Sequence, residues 1–159
     1  KTKKVEENIS SFDTSEKQKC FIVKVKNKYE NYYPQELGAE FFSYLEKHKN
    51  IKKIDLYSDS INFELKEKIC FFSEFIFGFN LKSYKFSKYK TLNKEKINKK
   101  VEYNIITSNK EKIEKEYKYY NSIKEGVFMT RDLVSEPPNV LNPKAYVDEI
   151  KTVTNCKTC

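Results

Sequence analysis

The chain has 159 residues and a formal net charge of +8 at pH 7, which arises from 31 Lys and Arg against 23 Asp and Glu. A chain of this length can bury one modest hydrophobic core, since domains commonly have about 100–150 residues. It contains no run of about 18 apolar residues and no apolar stretch of a secretory signal near its start, so it predicts neither a membrane span nor export.

The first part of the chain alternates between strand and helix patterns. Residues 1–18 are polar and predict a loop or a frayed end. Residues 20–26 (CFIVKVK) and 51–57 are short apolar and β-branched runs of the kind found in strands. Between them, apolar residues at three- to four-residue spacing behind Pro34 predict a helix over 35–49.

Two further helices are predicted, and each follows a strand. Asp59 or Ser60 is expected to cap the first, whose broad apolar stripe consists of Leu65, Ile69, Phe72, Phe75, Ile76 and Phe79. Residues 101–107 (VEYNIIT) predict a third strand, and Ser108 or Asn109 is expected to cap the long helix behind it. The apolar side of that helix consists of Ile113, Tyr117, Tyr120, Val127, Thr130, Leu133 and Val134.

The long helix has a defined end. It includes Gly126, where close packing is expected, and it is stopped by Pro137 and Pro138. Another helix begins behind Asn142, with Pro143 at its first position. Strands separated by helices of this length predict an α/β fold, with a mostly parallel sheet flanked by helices and followed by a long connecting helix.

The basic charge has two interpretations. Clustered Lys and Arg would neutralise phosphates, as in nucleic-acid binding. However, Arg131 is the only arginine, and Lys lacks the planar fork that binds guanine or phosphate in a bidentate manner. The basic run over 94–100 is interrupted by Glu95, which favours a solvated loop. The abundance of Lys, Asn, Ile, Tyr and Phe is typical of an AT-rich coding sequence, so we favour coding bias.

The four cysteines do not form a metal or disulfide framework. Cys20 opens a strand pattern and Cys70 lies in a helical one, so both are expected to be small buried hydrophobes. Cys156 and Cys159 form a CxxC, but a zinc site would need a second pair or two histidines. The sole histidine, His48, lies far away at a lysine-rich helix end.

The acidic residues do not suggest a metal or catalytic site either. Asp148 and Glu149 are adjacent on a helix and therefore point apart, which indicates a solvated face. Asp55 and Asp59 flank a strand end without a histidine or a second carboxylate cluster.

Other enzyme motifs are also missing. The phosphate-binding glycine motifs are absent, and the three scattered glycines are Gly38, Gly78 and Gly126. Ser-His-Asp or Cys-His catalysis would have to use His48, which is better explained as finishing a helix. Arg131 and Asp132 are expected to tether the long helix to a neighbouring domain. The sequence therefore nominates no catalytic, cofactor-binding or metal-binding residue.

Two sequence motifs, which occur in the same order as in a known family, carry a resemblance to that family. Residues 78–91 read GFNLKSYKFSKYKT, and residues 130–143 read TRDLVSEPPNVLNP. Together they resemble the leucyl aminopeptidase (cytosol aminopeptidase) family, in which the second motif connects the N-terminal domain to the catalytic domain. Its matching positions are Thr130, Arg131, Asp132, Leu133, Glu136, Pro137, Asn139 and Pro143.

The resemblance implies a domain division. After the polar residues 1–18, it assigns 19–108 to an incomplete α/β N-terminal domain, 109–135 to the connecting helix and 136–159 to the start of a truncated catalytic domain. The chain begins with Lys rather than Met, and we expect it to be a fragment. The loop over 26–33 replaces a turn that usually contains glycine in the family, so a ligand role of that turn is not carried over.

The resemblance also implies a function for the full-length protein. It would be a cytoplasmic, hexameric metallo-aminopeptidase that releases N-terminal amino acids from peptides, using two divalent metal ions, Mn or Zn, bound outside this chain. The fragment would be an inactive scaffold and oligomerisation element. The alternative is a stand-alone basic α/β binding module with DNA as a possible partner.

Overall fold

The computed structural model describes residues 8–16, 18–48, 50–89 and 101–154, with backbone only for 152–154. Strands and helices alternate along most of the chain, as the sequence predicts. The elements are β1 (Ile9–Ser15), β2 (Gln18–Val23), α1 (Tyr33–Glu46), β3 (Lys53–Tyr57), α2 (Leu65–Ser83), β4 (Glu102–Ile106), α3 (Lys110–Ser135) and α4 (Pro143–Thr154). Within the described residues, no helix is both long enough and apolar enough to cross a membrane.

The strands form two sheets of two strands each. β1 pairs with β2 in antiparallel orientation, and β3 pairs with β4 in parallel orientation. The parallel pair is joined through α2, because parallel neighbours need a long crossover connection. The predicted α/β class, with flanking helices and a long helix after the last strand, is confirmed. Parallel pairing is confined to β3 and β4 among the described strands.

The prediction of a loop or frayed end over 1–18 is wrong for Ile9–Ser15, which forms β1. Ile9 is only 2% exposed and pairs with Val23 of β2. The strand sequence ISSFDTS has few apolar residues, so its own pattern is weak. Pairing with β2, rather than local propensity, makes this segment a strand. Residues 1–7 and 17 lie outside the described part of the chain.

The core lies where α1 crosses α2 beneath the strands. At the crossing, a Cβ on Gly38 would stand 2.9 Å from the Phe79 nitrogen, and a Cβ on Gly78 would stand 2.6 Å from the Gln35 Cα. Both glycines therefore permit a backbone-to-backbone approach that no side chain would allow. The buried residues around them are Ile9, Leu37, Phe41, Phe42, Leu45, Ile54, Leu56, Phe71, Phe72, Phe75, Ile76, Phe79 and Ile113.

Polar contacts add to the packing of α3 on α2. The Asn80 amide nitrogen lies 2.9 Å from the Tyr103 hydroxyl and 2.7 Å from the Tyr117 hydroxyl. The Tyr120 hydroxyl lies 3.0 Å from the Glu74 carboxylate, which also accepts a hydrogen bond from the Cys70 thiol. Burial is the main reason that the pKa of Tyr117 is raised, so this phenol stays protonated at neutral pH.

Several predictions for α3 are wrong. Among the described residues, no atom lies within 4 Å of a Cβ built on Gly126, so this glycine marks open space rather than close packing. Val134 is 82% exposed and Thr130 is exposed, whereas Ile113 is buried. The other members of the predicted apolar side, Tyr117, Tyr120, Val127 and Leu133, are half-buried.

Other local predictions also need correction. α2 begins at Leu65, so neither Asp59 nor Ser60 caps it. Instead, the Asp59 carboxylate accepts a hydrogen bond from the Ser108 N–H at 2.8 Å. Cys20 and Cys70 are half-buried rather than buried. The CxxC motif at 156–159 lies outside the described residues.

Substituting the crossing glycines tests the fold. We expect Gly38→Ala and Gly78→Ala each to lower the free energy of unfolding by about 1–3 kcal/mol or more, because the new methyl group meets backbone that cannot move aside. Gly126→Ala is the matched control and is expected to raise it by about 0.5–1 kcal/mol through helix propensity. Urea unfolding followed by circular dichroism measures the three values. Equal midpoints for all three variants would contradict the close approach.

Candidate functional site

The two motifs that carry the resemblance lie against each other. Residues 84–89, which follow α2, contact the last turns of α3 and Glu136 just beyond it. The segment is also tied to α1, because Lys85 forms an ion pair with Glu46. We call this contact between 84–89 and 128–136 the junction.

Arg131 holds the end of α3 to the end of α2. Its Nη1 donates a hydrogen bond to the Leu81 carbonyl oxygen at 2.8 Å, and its guanidinium lies 5.4 Å from the centre of the Tyr84 ring. The Tyr84 hydroxyl donates in turn to Asp132 Oδ1 at 2.6 Å. Burial, followed by this hydrogen bond, raises the pKa of Tyr84 to about 12, so the phenol remains a donor at neutral pH. Arg131 and Asp132 thus tie the end of α3 to the preceding part of the chain, and the tether to a neighbouring domain stays a prediction.

Glu136 forms the second contact of the junction. Its carboxylate accepts a hydrogen bond from Lys88 Nζ at 2.6 Å and another from the Tyr89 hydroxyl. Its side chain is only 8% exposed, whereas that of Lys88 is 59% exposed. The hydrogen bond from Lys88, followed by that from Tyr89, lowers the pKa of Glu136. Glu136 is therefore held as a carboxylate between two donors.

The turn behind Glu136 is closed by local hydrogen bonds. The N–H groups of Val140 and Leu141 both donate to the Pro137 carbonyl oxygen at 2.9 Å. Asn142 Oδ1 accepts from the Ala145 N–H at 3.0 Å, which caps α4 at its start. The predicted break at the two prolines and the restart at Pro143 are confirmed.

An open groove runs beside the junction. It has a volume of about 970 Å³ and lies between the segment after α2, the outer part of α3 and the start of α4. Its apolar lining comes from Phe86, Phe128, Met129, Leu133, Val140 and Leu141. Charged residues line it as well, among them Lys85, Asp132 and Glu149.

The acidic residues considered from the sequence do not come together. Asp55 accepts a hydrogen bond from the Asn104 amide at 2.7 Å. The pKa of Asp59 is lowered chiefly by the backbone hydrogen bond from Ser108. Asp148 and Glu149 are exposed on α4. In the described ranges, no three His, Cys, Asp or Glu side chains are grouped so that they could hold a metal ion. These residues do not fit a two-metal site, and we derive no reaction step from them.

His48 is placed by aromatic packing. α1 ends at Glu46, and the His48 ring lies 5.6 Å from Phe21 and 5.2 Å from Tyr44. These contacts agree with the interpretation that His48 finishes the helix region. The pairing of Lys88 with Glu136 was missed by the sequence analysis, although opposite charges in the two motifs were a signal for it.

Comparison with known proteins finds similarity to cytosol aminopeptidases. No family model matches the chain. The probable cytosol aminopeptidase of Wolbachia pipientis wMel is 36% identical over 77 residues, which are 47% of this chain and 15% of that protein. The probable cytosol aminopeptidase of Rhizobium etli is 32% identical over 110 residues, which are 67% of this chain and 22% of that protein. The probable cytosol aminopeptidase of Phytoplasma mali is 35% identical over 103 residues, which are 63% of this chain and 20% of that protein. The chain thus spans about a fifth of the length of these curated relatives.

The charge of Glu136 should make stability depend on pH. The pKa of Glu136 in the folded protein lies below the ordinary value of 4.5. Its contribution to folding stability is therefore present above pH 4.5 and is lost as the pH falls through the folded pKa. We expect Glu136→Gln to lower the unfolding midpoint at pH 7 and to lose this effect well below pH 4.5. Asp148→Asn, on an exposed face, is the control. A Glu136→Gln effect that is independent of pH would contradict the charged contact.

The Tyr84 hydroxyl can be tested separately. Tyr84→Phe keeps the ring beside Arg131 and removes only the donor to Asp132, so we expect a loss of about 1 kcal/mol in unfolding free energy. Tyr119→Phe is the matched control, since the Tyr119 side chain is 66% exposed. Chemical denaturation of both variants at pH 7 measures the difference. A loss of the same size in both would rule out a specific role for the Tyr84 hydroxyl.

Proposed function

The chain is a relative of the leucyl aminopeptidase (cytosol aminopeptidase) family, and on that premise we propose that it is a non-catalytic N-terminal and linker portion of a metal-dependent aminopeptidase. The full-length protein would release N-terminal amino acids from peptides. The observation that carries the proposal is the similarity to three proteins with that printed name. The contact between the two motif segments supports it, because the residues that carry the resemblance build one junction.

The proposed role of the described residues is mechanical. α3 leaves the core as a helix of 26 residues, and the junction fixes its far end to the segment behind α2. The turn at Pro137 and Pro138 then sets the direction in which α4 continues. A downstream catalytic domain would be oriented by these contacts.

The chemistry would lie outside this chain. The two divalent metal ions that the resemblance implies, Mn or Zn, would be held by residues outside this chain and would supply Lewis-acid activation there. We further propose that the full-length protein acts in the cytoplasm, which the printed name of its relatives supports. Peptides as substrates and a hexameric assembly are proposed from the family resemblance. Scaffold and oligomer contacts would be the contribution of this portion.

A basic binding module is the alternative proposal. The net charge of +8 favours it, because a lysine-rich surface attracts nucleic acid. This binding would be sequence-independent and would weaken steeply with salt, since lysines contact phosphates as point charges.

Enzyme assays distinguish the two proposals. We expect the 159-residue chain to show no hydrolysis of leucine p-nitroanilide with Mn²⁺ or Zn²⁺, whereas the polypeptide encoded by an open frame that continues beyond Cys159 hydrolyses it. The control is the same longer polypeptide after treatment with a chelator. Hydrolysis by the chain alone would overturn its non-catalytic role. A stop codon soon after Cys159, together with salt-sensitive DNA binding, would favour the alternative.

A further inference from the structure

We draw no further inference here: the strongest candidate, the exposed apolar patch that Tyr119, Ile123 and Val134 form at helical spacing along α3, carries none because nothing in the structure shows what covers it.

Discussion

The close approach of α1 and α2 is the constraint on which the rest of the structure depends. Gly38 and Gly78 bring the two backbones together, and the aromatic side chains of the core cluster around this crossing. Ile9 of β1 and Ile54 and Leu56 of β3 belong to the same buried cluster, so these strands pack against the crossing helices. A wider crossing would separate the elements that hold the core, because interiors are close-packed and tolerate little expansion.

The same crossing determines where the junction forms. α2 ends at Ser83, and its direction delivers the following segment to the last turns of α3. Arg131 satisfies a carbonyl group at the end of α2, and Glu136 is enclosed by two donors. A charge with so little exposure is stable only with its partners in place. The junction therefore fixes the direction of the chain beyond α3 only while α1 and α2 are packed together.

The molecule combines a well-packed helical layer with a divided sheet layer. The helices bury their aromatic residues against one another, while β2 and β3 stand beside a groove instead of pairing. In the described part of the chain, the two helices thus meet closely while the two strand pairs remain separate.

The sequence by itself determined features that depend on local chain chemistry. The alternation of strands and helices, the break at Pro137 and Pro138 and the start of α4 follow from periodicity and from the fixed geometry of proline. Only the tertiary structure decided that Ile9–Ser15 is a strand, that Gly38 and Gly78 serve packing whereas Gly126 does not, and that Lys88 meets Glu136. Each of these depends on residues distant in sequence, whose meeting is set by the packing of the helices rather than by the pattern of any one segment.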